Sequence, residues 1–389
     1  MMDVVEGDWT GGRGTAQEAA LDDLLAQARA RRAEFGARQQ LSPDMVGRLK
    51  RAGVYRALVA RRFGGEERAP SDFLRLIERI SVADGSTGWV ASFGFSAVYL
   101  SALPLATLEA IYADGPDVVF AGGIFPPQDA VVVPGGLEVS GRWSWGSGSP
   151  GAELVGVGVR EAGIDGKGGL PLIAVMPAGR VRIVPNWDVN GLKGTGSHDM
   201  VADKVVVPRE WTFVRGGGSS LGTPLYRYPS LALAAQVLAV VGLGVARAAL
   251  VEVAAVAGGR QSITGAPSLA DRAHVQIEVA KAEAQLRSAR AFFYEATDEA
   301  FATLVAGGEL DVRARTMLRL ASTHAARAGA DVAGSAYRMC GTDGIFTGNL
   351  VAQCFQDASV VPQHAFLAEG TWQAAGRALL GLPLAPGFP

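Results

Sequence analysis

The chain has 389 residues, 49% of them hydrophobic and 19% charged, with a formal net charge of -2. That is long for one hydrophobic core and too near neutrality for a nucleic-acid or anionic-membrane surface. Two cysteines, Cys340 and Cys354, supply neither a disulfide framework nor a zinc site of ordinary spacing, and both are expected to be reduced, buried small residues in a cytoplasmic setting.

Residues 1–14 are acidic and glycine-rich and lack the basic-then-apolar order of a signal peptide, so they are read as a disordered tail. From 15 to 115 the pattern is helical. Ser42-Pro43 predicts a capped helix start with proline in the first turn, and Ser71 a second cap before Phe73, Leu74, Leu76, Ile77 and Ile80. The run Asp84-Gly85-Ser86-Thr87-Gly88 interrupts the pattern before a further apolar helix. Between 116 and 227 short β-type runs such as Val131-Val132-Val133, Ile173-Ala174-Val175 and Val205-Val206-Val207 alternate with Gly and Pro. Pro134-Gly135-Gly136 marks a hairpin, and the whole reads as an antiparallel, barrel-like β-domain.

Helical spacing returns over 228–389. Helices are predicted across 231–257, 268–304, 312–339 and 370–380, enough for a four-helix bundle. The most apolar run, 231–246, contains Gln236 and falls short of the ~20 residues needed to span a bilayer, so it is read as the core helix of a soluble protein.

Three segments carry chemistry-bearing residues. Gly141-Arg142-Trp143-Ser144-Trp145-Gly146-Ser147-Gly148 combines aromatic faces, hydroxyls and small residues, the wall that a planar heteroaromatic cofactor wants. Gly191-Leu192-Lys193-Gly194-Thr195-Gly196-Ser197 lacks P-loop spacing and is read as a loop giving backbone contacts to a neighbour. Near the C-terminus, Asp357 precedes His364, one of four histidines; an imidazole with an ordinary pKa near ~6.5 is a proton-transfer candidate. His198 is placed in a turn beside Asp199, and His274 and His324 on bundle helices, with no pattern that suggests a metal.

In this order, these segments resemble the acyl-CoA dehydrogenase superfamily, and within it the flavin-dependent monooxygenases that form the oxygenase component of two-component systems. The resemblance implies an α+β chain: an N-terminal helical domain, a central antiparallel β-barrel domain and a C-terminal four-helix bundle, assembled as a homotetramer. It implies hydroxylation of an aromatic or polycyclic small molecule through a flavin C4a-hydroperoxide, with molecular oxygen and with reduced FAD or FMN from a separate NAD(P)H-dependent reductase. Ser147 would stand near the flavin N5–C4a edge, with Trp143 or Trp145 against the ring and Thr195 and Ser197 close by. Arg260 would reach the flavin phosphates. His364 would hydrogen-bond the peroxide or deprotonate the substrate. Trp89 would help wall the substrate cavity, and Ser96 stands where some members carry a histidine.

The chain departs from that pattern at Ser149-Pro150-Gly151, where many aromatic hydroxylases have a Cys-Asp-His-like run, and at Gln356-Asp357, which replaces Arg-Asp. Two other activities fit the resemblance: an acyl-thioester dehydrogenase with Glu369 of Glu369-Gly370-Thr371 as base, and an amine N-oxygenase. A flavin-free binding protein on the same fold is the third alternative. For Glu369 itself the plain reading is a helix N-terminal charge.

Overall fold

A computed structural model describes residues 15–161, 171–258, 267–384 and 388–389. The tail read at 1–14 and Arg260 lie outside these described residues. Seven helices lead the chain: α1 (Thr15–Ala30), α2 (Arg32–Arg38), α3 (Pro43–Arg51), α4 (Pro70–Ala83), α5 (Gly85–Ser92), α6 (Ser96–Leu100) and α7 (Leu105–Ile111). Proline opens both α3 and α4, where its missing N–H costs no helical hydrogen bond. The serine caps are not formed. Ser42 Oγ donates to Asp44 Oδ1 at 2.6 Å, and α4 begins at Pro70, one residue before Ser71. The cap that does form is Asp84, whose carboxylate accepts from Thr87 N–H and Thr87 Oγ1, both at 2.7 Å, and so launches α5 across the break read in the sequence.

The central region is one sheet of seven strands: β1 (Phe120–Val133), β2 (Gly136–Gly146), β3 (Leu154–Glu161), β4 (Leu172–Pro177), β5 (Arg182–Val184), β6 (His198–Val207) and β7 (Thr212–Val214), in the order β5-β6-β2-β1-β3-β4-β7. Pro134-Gly135-Gly136 makes the expected hairpin, with Val133 facing Gly136. The sheet is mixed, which corrects the antiparallel expectation. After β2 the chain crosses to the free edge of β1, so β3 runs parallel to it from the pair Phe120 and Leu154. Apolar residues of the sheet, Trp143, Val155, Val157 and Met200 among them, form a small core of their own.

Beyond the short α8 (Pro224–Arg227) come α9 (Ser230–Ala257), α10 (Ala273–Val305), α11 (Val312–Met339), α12 (Leu350–Val360) and α13 (Glu369–Leu379). Helix α12 was not foreseen. Its start depends on Asn349, whose side chain accepts from Ala352 N–H at 2.9 Å. Helix α9 is long and apolar enough to cross a membrane, but 83% of its most apolar window is buried inside the chain. Its one amide there is satisfied: Gln236 accepts from Tyr228 Oη at 3.0 Å and donates to Thr297 Oγ1 at 2.6 Å.

Small residues set how closely α9 packs. A Cβ on Gly329 of α11 would lie 2.7 Å from Gly242 O of α9, and one on Gly244 would lie 2.6 Å from Glu78 O and Ser81 Cβ of α4. Helix α9 is thus pressed between the N-terminal helices and α11. Glu78, 1% exposed, seals that contact by accepting from Arg290 Nε and Tyr294 Oη, each at 2.7 Å.

Gly329→Ala should force α9 and α11 apart and cost about 1–3 kcal/mol. Gly376→Ala, on open α13 surface with nothing within 4 Å of its Cβ, should stabilise by about 0.4–1 kcal/mol. Urea midpoints of the two variants test the packing; equal shifts would contradict it.

Candidate active site

The three regions enclose an apolar cavity of about 540 Å³. Its walls come from α5 and the turn after it (Trp89, Phe93, Phe95), from the sheet and its loops (Phe125, Ser147, Trp187, Thr195, Ser197), and from the C-terminal segment (His364, Phe366). No single region could close it.

One wall carries a chain of hydroxyls. Trp89 Nε1 donates to Ser147 Oγ at 3.1 Å, Ser147 and Ser197 share a hydrogen bond of 2.7 Å, and Ser197 and Thr195 share another of 2.7 Å. All four side chains are buried. Ser147 stands in the turn after β2, and the next residue, Gly148, donates its N–H to Thr195 O at 2.8 Å, which ties the two hydroxyl-bearing loops together.

The loop of Thr195 and Ser197 is itself a junction. Leu192 N–H donates to Asp357 Oδ1 of α12 at 2.6 Å, and Gly194 N–H to Ser86 Oγ of α5 at 3.0 Å. A Cβ on Gly191 would sit 2.2 Å from Gln356 O and one on Gly194 2.7 Å from Phe35 Cβ, so only glycine lets the loop seat there. Burial, and then the neighbouring Asp84, push the Asp357 carboxyl up to about 7.

The two tryptophans of β2 part company. Strand alternation would put Trp143 and Trp145 on one face, but Trp145 adopts φ 61° where the β2–β6 register shifts. Trp143 is fully buried in the sheet's own core, its Nε1 donating to Gly158 O at 2.8 Å, and it is not part of the cavity wall. Trp145 turns out to the cavity rim. Ser96 is buried in α6 but is likewise absent from the wall, because Phe95 and Tyr99, four residues apart, take the helix face that looks inward.

His364 lines the cavity with its ring centroid 6.2 Å from Trp89 and 5.1 Å from Phe366. Its Nδ1 accepts from Phe366 N–H at 3.2 Å, so Nε2 carries the proton of the neutral ring. Burial, then the charges of Arg215 and Arg319, push its pKa down to about 4. At neutral pH it is a hydrogen-bond donor, not a cation. His198 is buried outside the wall and accepts from Asn186 and Trp187 N–H, each at 3.1 Å, which positions the cavity residue Trp187. Glu369 lies outside the cavity too, exposed in the first turn of α13 and paired with Arg327 at 3.2 Å.

Arg215 and Arg319 escaped the sequence reading. Both are 6% exposed, and Arg215 lines the cavity. A signal existed for Arg319: it shares a helical face with Thr316 and Thr323 and has no acid three or four residues away. Cys354 is buried and Cys340 half-buried, both as free thiols.

Comparison with known proteins agrees with this geometry. The acyl-CoA dehydrogenase C-terminal domain family matches residues 236–369. An indole-3-acetate monooxygenase of Pseudomonas putida is 54% identical over 96% of this chain and 96% of its own. The chain belongs to the flavin-dependent monooxygenase branch of the acyl-CoA dehydrogenase superfamily. A flavin-dependent monooxygenase oxygenase subunit of Mycobacterium tuberculosis, HsaA, is 30% identical over 54% of this chain and 56% of its own. The crystal structure of 3-HSA hydroxylase from Rhodococcus sp. RHA1 superimposes with a TM-score of 0.88 at 25% identity, covering 96% of this chain and 98% of that one. Enzymes of this branch use reduced flavin and dioxygen. The residues here fit that cofactor: flat aromatic walls, and a buried hydroxyl wall able to meet ring nitrogens and carbonyls.

The His364 environment predicts a pH effect. The folded chain keeps the imidazole neutral to about pH 4, while the unfolded chain protonates it near ~6.5. The unfolded state therefore binds the extra proton between those values, and stability is lost as pH falls through that window. In urea titrations His364→Gln should show a shallower loss than wild type over that range; equal slopes would contradict the assignment.

Proposed function

We propose that the chain is the oxygenase of a two-component system, that its substrate is a flat aromatic molecule, and that indole-3-acetate, the compound named for the 54% identical relative, is the first to test. The observation that carries this reading is the hydroxyl chain Trp89–Ser147–Ser197–Thr195 lining an apolar cavity whose wall also holds a neutral His364.

Reduced flavin, when bound, supplies two electrons that split dioxygen, one atom entering the substrate and the other leaving as water. The protein's part is to hold and shield. Ser147 presents its hydroxyl from a fixed position, because Trp89 and Ser197 already set its orientation. We assign it to hold the proton at the flavin N5 edge, with Ser197 and Thr195 supporting it and Trp145 packing on the ring. His364, neutral and with Nε2–H free to donate, would hold the oxygen being transferred through that hydrogen bond. The aromatic walls exclude water that would otherwise release peroxide.

An acyl-thioester dehydrogenase needs a carboxylate at the reacting carbon, and no Asp or Glu among the described residues is part of the cavity wall. The same lack disfavours an ammonium substrate, as does the guanidinium of Arg215. The sheet as a barrel-like wrap, the C-terminal helices as a four-helix bundle, domain limits near 115 and 227, a cytoplasmic location, supply of FAD or FMN by a separate NAD(P)H reductase, and a homotetramer complete the proposal. Exposed Ile345, Phe346 and Leu380 are consistent with subunit contacts.

The test is a single turnover. Protein loaded anaerobically with reduced FMN or FAD is mixed with ¹⁸O₂ and indole-3-acetate, and labelled product and free peroxide are measured. One labelled atom per product and little peroxide are expected. Ser147→Ala should raise the peroxide share about tenfold, the loss of one hydrogen bond of ~1.4 kcal/mol. Tight binding of oxidised FAD with dehydrogenation of an acyl thioester would overturn the reading.

A further inference from the structure

Three buried polar side chains, each with an atom unpartnered among the described residues, gather near Phe366 at the cavity. Arg215, just after β7, is 6% exposed, lines the wall, and has no hydrogen-bond partner for Nε. Its guanidinium lies 4.6 Å from the ring centroid of Phe366 and 5.3 Å from that of Phe125. Arg319 of α11, behind the wall, is equally buried and lies 5.4 Å from the Phe366 ring. Its Nε is unpartnered, and Nη2 donates only a long hydrogen bond of 3.4 Å to Phe366 O. The hydroxyl of Tyr99, also in the wall, lies beside the Arg215 guanidinium and within the field of both arginines, and makes no well-formed hydrogen bond among the described residues.

Buried cations are normally paired, since an uncompensated charge in an apolar setting is costly. Neither arginine forms an ion pair, and the cavity wall has no acid, among the described residues. Burial, and then the charge of Arg215, push the Arg319 guanidinium down to about 10, which leaves it charged at neutral pH. One small anion arriving from the cavity would relieve both.

We propose that Arg215, backed by Arg319 and Tyr99, anchors a carboxylate carried by the aromatic substrate, so that the enzyme selects arylacetate-type acids over neutral arenes of the same shape. The inference rests on the cavity being the aromatic-substrate site. Ring contacts run from Trp89 to His364 to Phe366 to Arg215, so the guanidinium lies at the opposite end of the series from the Ser147 hydroxyl. An acid held there, one methylene from a flat ring, lays the ring along His364 and turns its far edge toward the hydroxyl wall. A guanidinium gripping a carboxylate uses paired N–H donors, and the buried Nε of Arg215 has no partner of its own among the described residues. Phosphate shares this oxyanion chemistry, but the apolar aromatic lining suits an arene's side chain.

The test is anaerobic calorimetry on the full chain with reduced FMN present, titrating indole-3-acetate, indole-3-acetamide and 3-methylindole. Wild type should bind the acid about 10–100-fold more tightly than the amide, the range for a charge-assisted hydrogen bond. Arg215→Gln should erase that preference and leave 3-methylindole affinity unchanged, with Arg215→Lys between the two. Arg215→Gln should also unfold no earlier than wild type without ligand, because it removes an uncompensated cation, and should lose the thermal shift that indole-3-acetate gives wild type. If Arg215→Gln does not fold, Arg319→Gln and Arg215→Lys carry the same comparison.

Equal wild-type affinity for acid and amide overturns the proposal, as does a parallel loss for acid and 3-methylindole. A loss confined to reduced FMN would assign the anion to the flavin phosphate and overturn it too. If 3-methylindole is bound and hydroxylated while the acid is not bound, the carboxylate anchor fails and the monooxygenase stands. If no indole is bound or hydroxylated, both readings fail.

Discussion

The hydroxyl wall of the cavity depends on how one loop is seated, first by a short hydrogen bond from Leu192 N–H to Asp357 Oδ1 at 2.6 Å. That bond fastens a loop of the β-region to a helix of the C-terminal region, while Ser86 fastens the same loop to the N-terminal helices. The loop delivers Thr195 and Ser197, and these order Ser147, which Trp89 holds from a third direction. A hydroxyl is a weak and freely rotating group. It becomes a directed donor only when its other hydrogen bonds are fixed, and here they are fixed by parts of the chain more than a hundred residues apart.

The cavity's electrostatics follow from the same enclosure. An imidazole in water would be partly protonated near neutrality, whereas here burial and two arginines hold it neutral, and a backbone N–H fixes its tautomer. The cations are kept apart from the hydroxyl wall by the rings of Phe366 and Trp89. On the proposed reading, a site with a neutral donor wall at one end and a cationic end at the other would order a substrate along its length and leave no charge at the reacting edge. That division suits oxygen transfer to an electron-rich ring, which needs water kept out more than it needs a strong acid or base.

Much of this was legible in the sequence where local rules decide. The order of helices, sheet and helices followed from the change of hydrophobic period, the hairpin from Pro134-Gly135-Gly136, and the junction role of the Gly191–Ser197 run from its glycines and failed P-loop spacing. Features set by distant contacts were not legible. Nothing local announces that Trp145 flips at a bulge while Trp143 stays in the sheet core. The parallel pairing of β1 with β3 depends on a crossover, and α12 is a short helix that borrows its stability from α9 and α11. Arg215 reads as a loop arginine before three glycines, and only tertiary packing shows it buried and unpaired.

The most direct test of the whole account is a crystal structure of the full chain soaked anaerobically with reduced FMN and indole-3-acetate. The account predicts the flavin ring edge against Ser147, the indole ring between Trp89 and Phe366, and the carboxylate on Arg215. A flavin bound away from the Ser147 wall, or an indole whose acid points out to solvent, would contradict it.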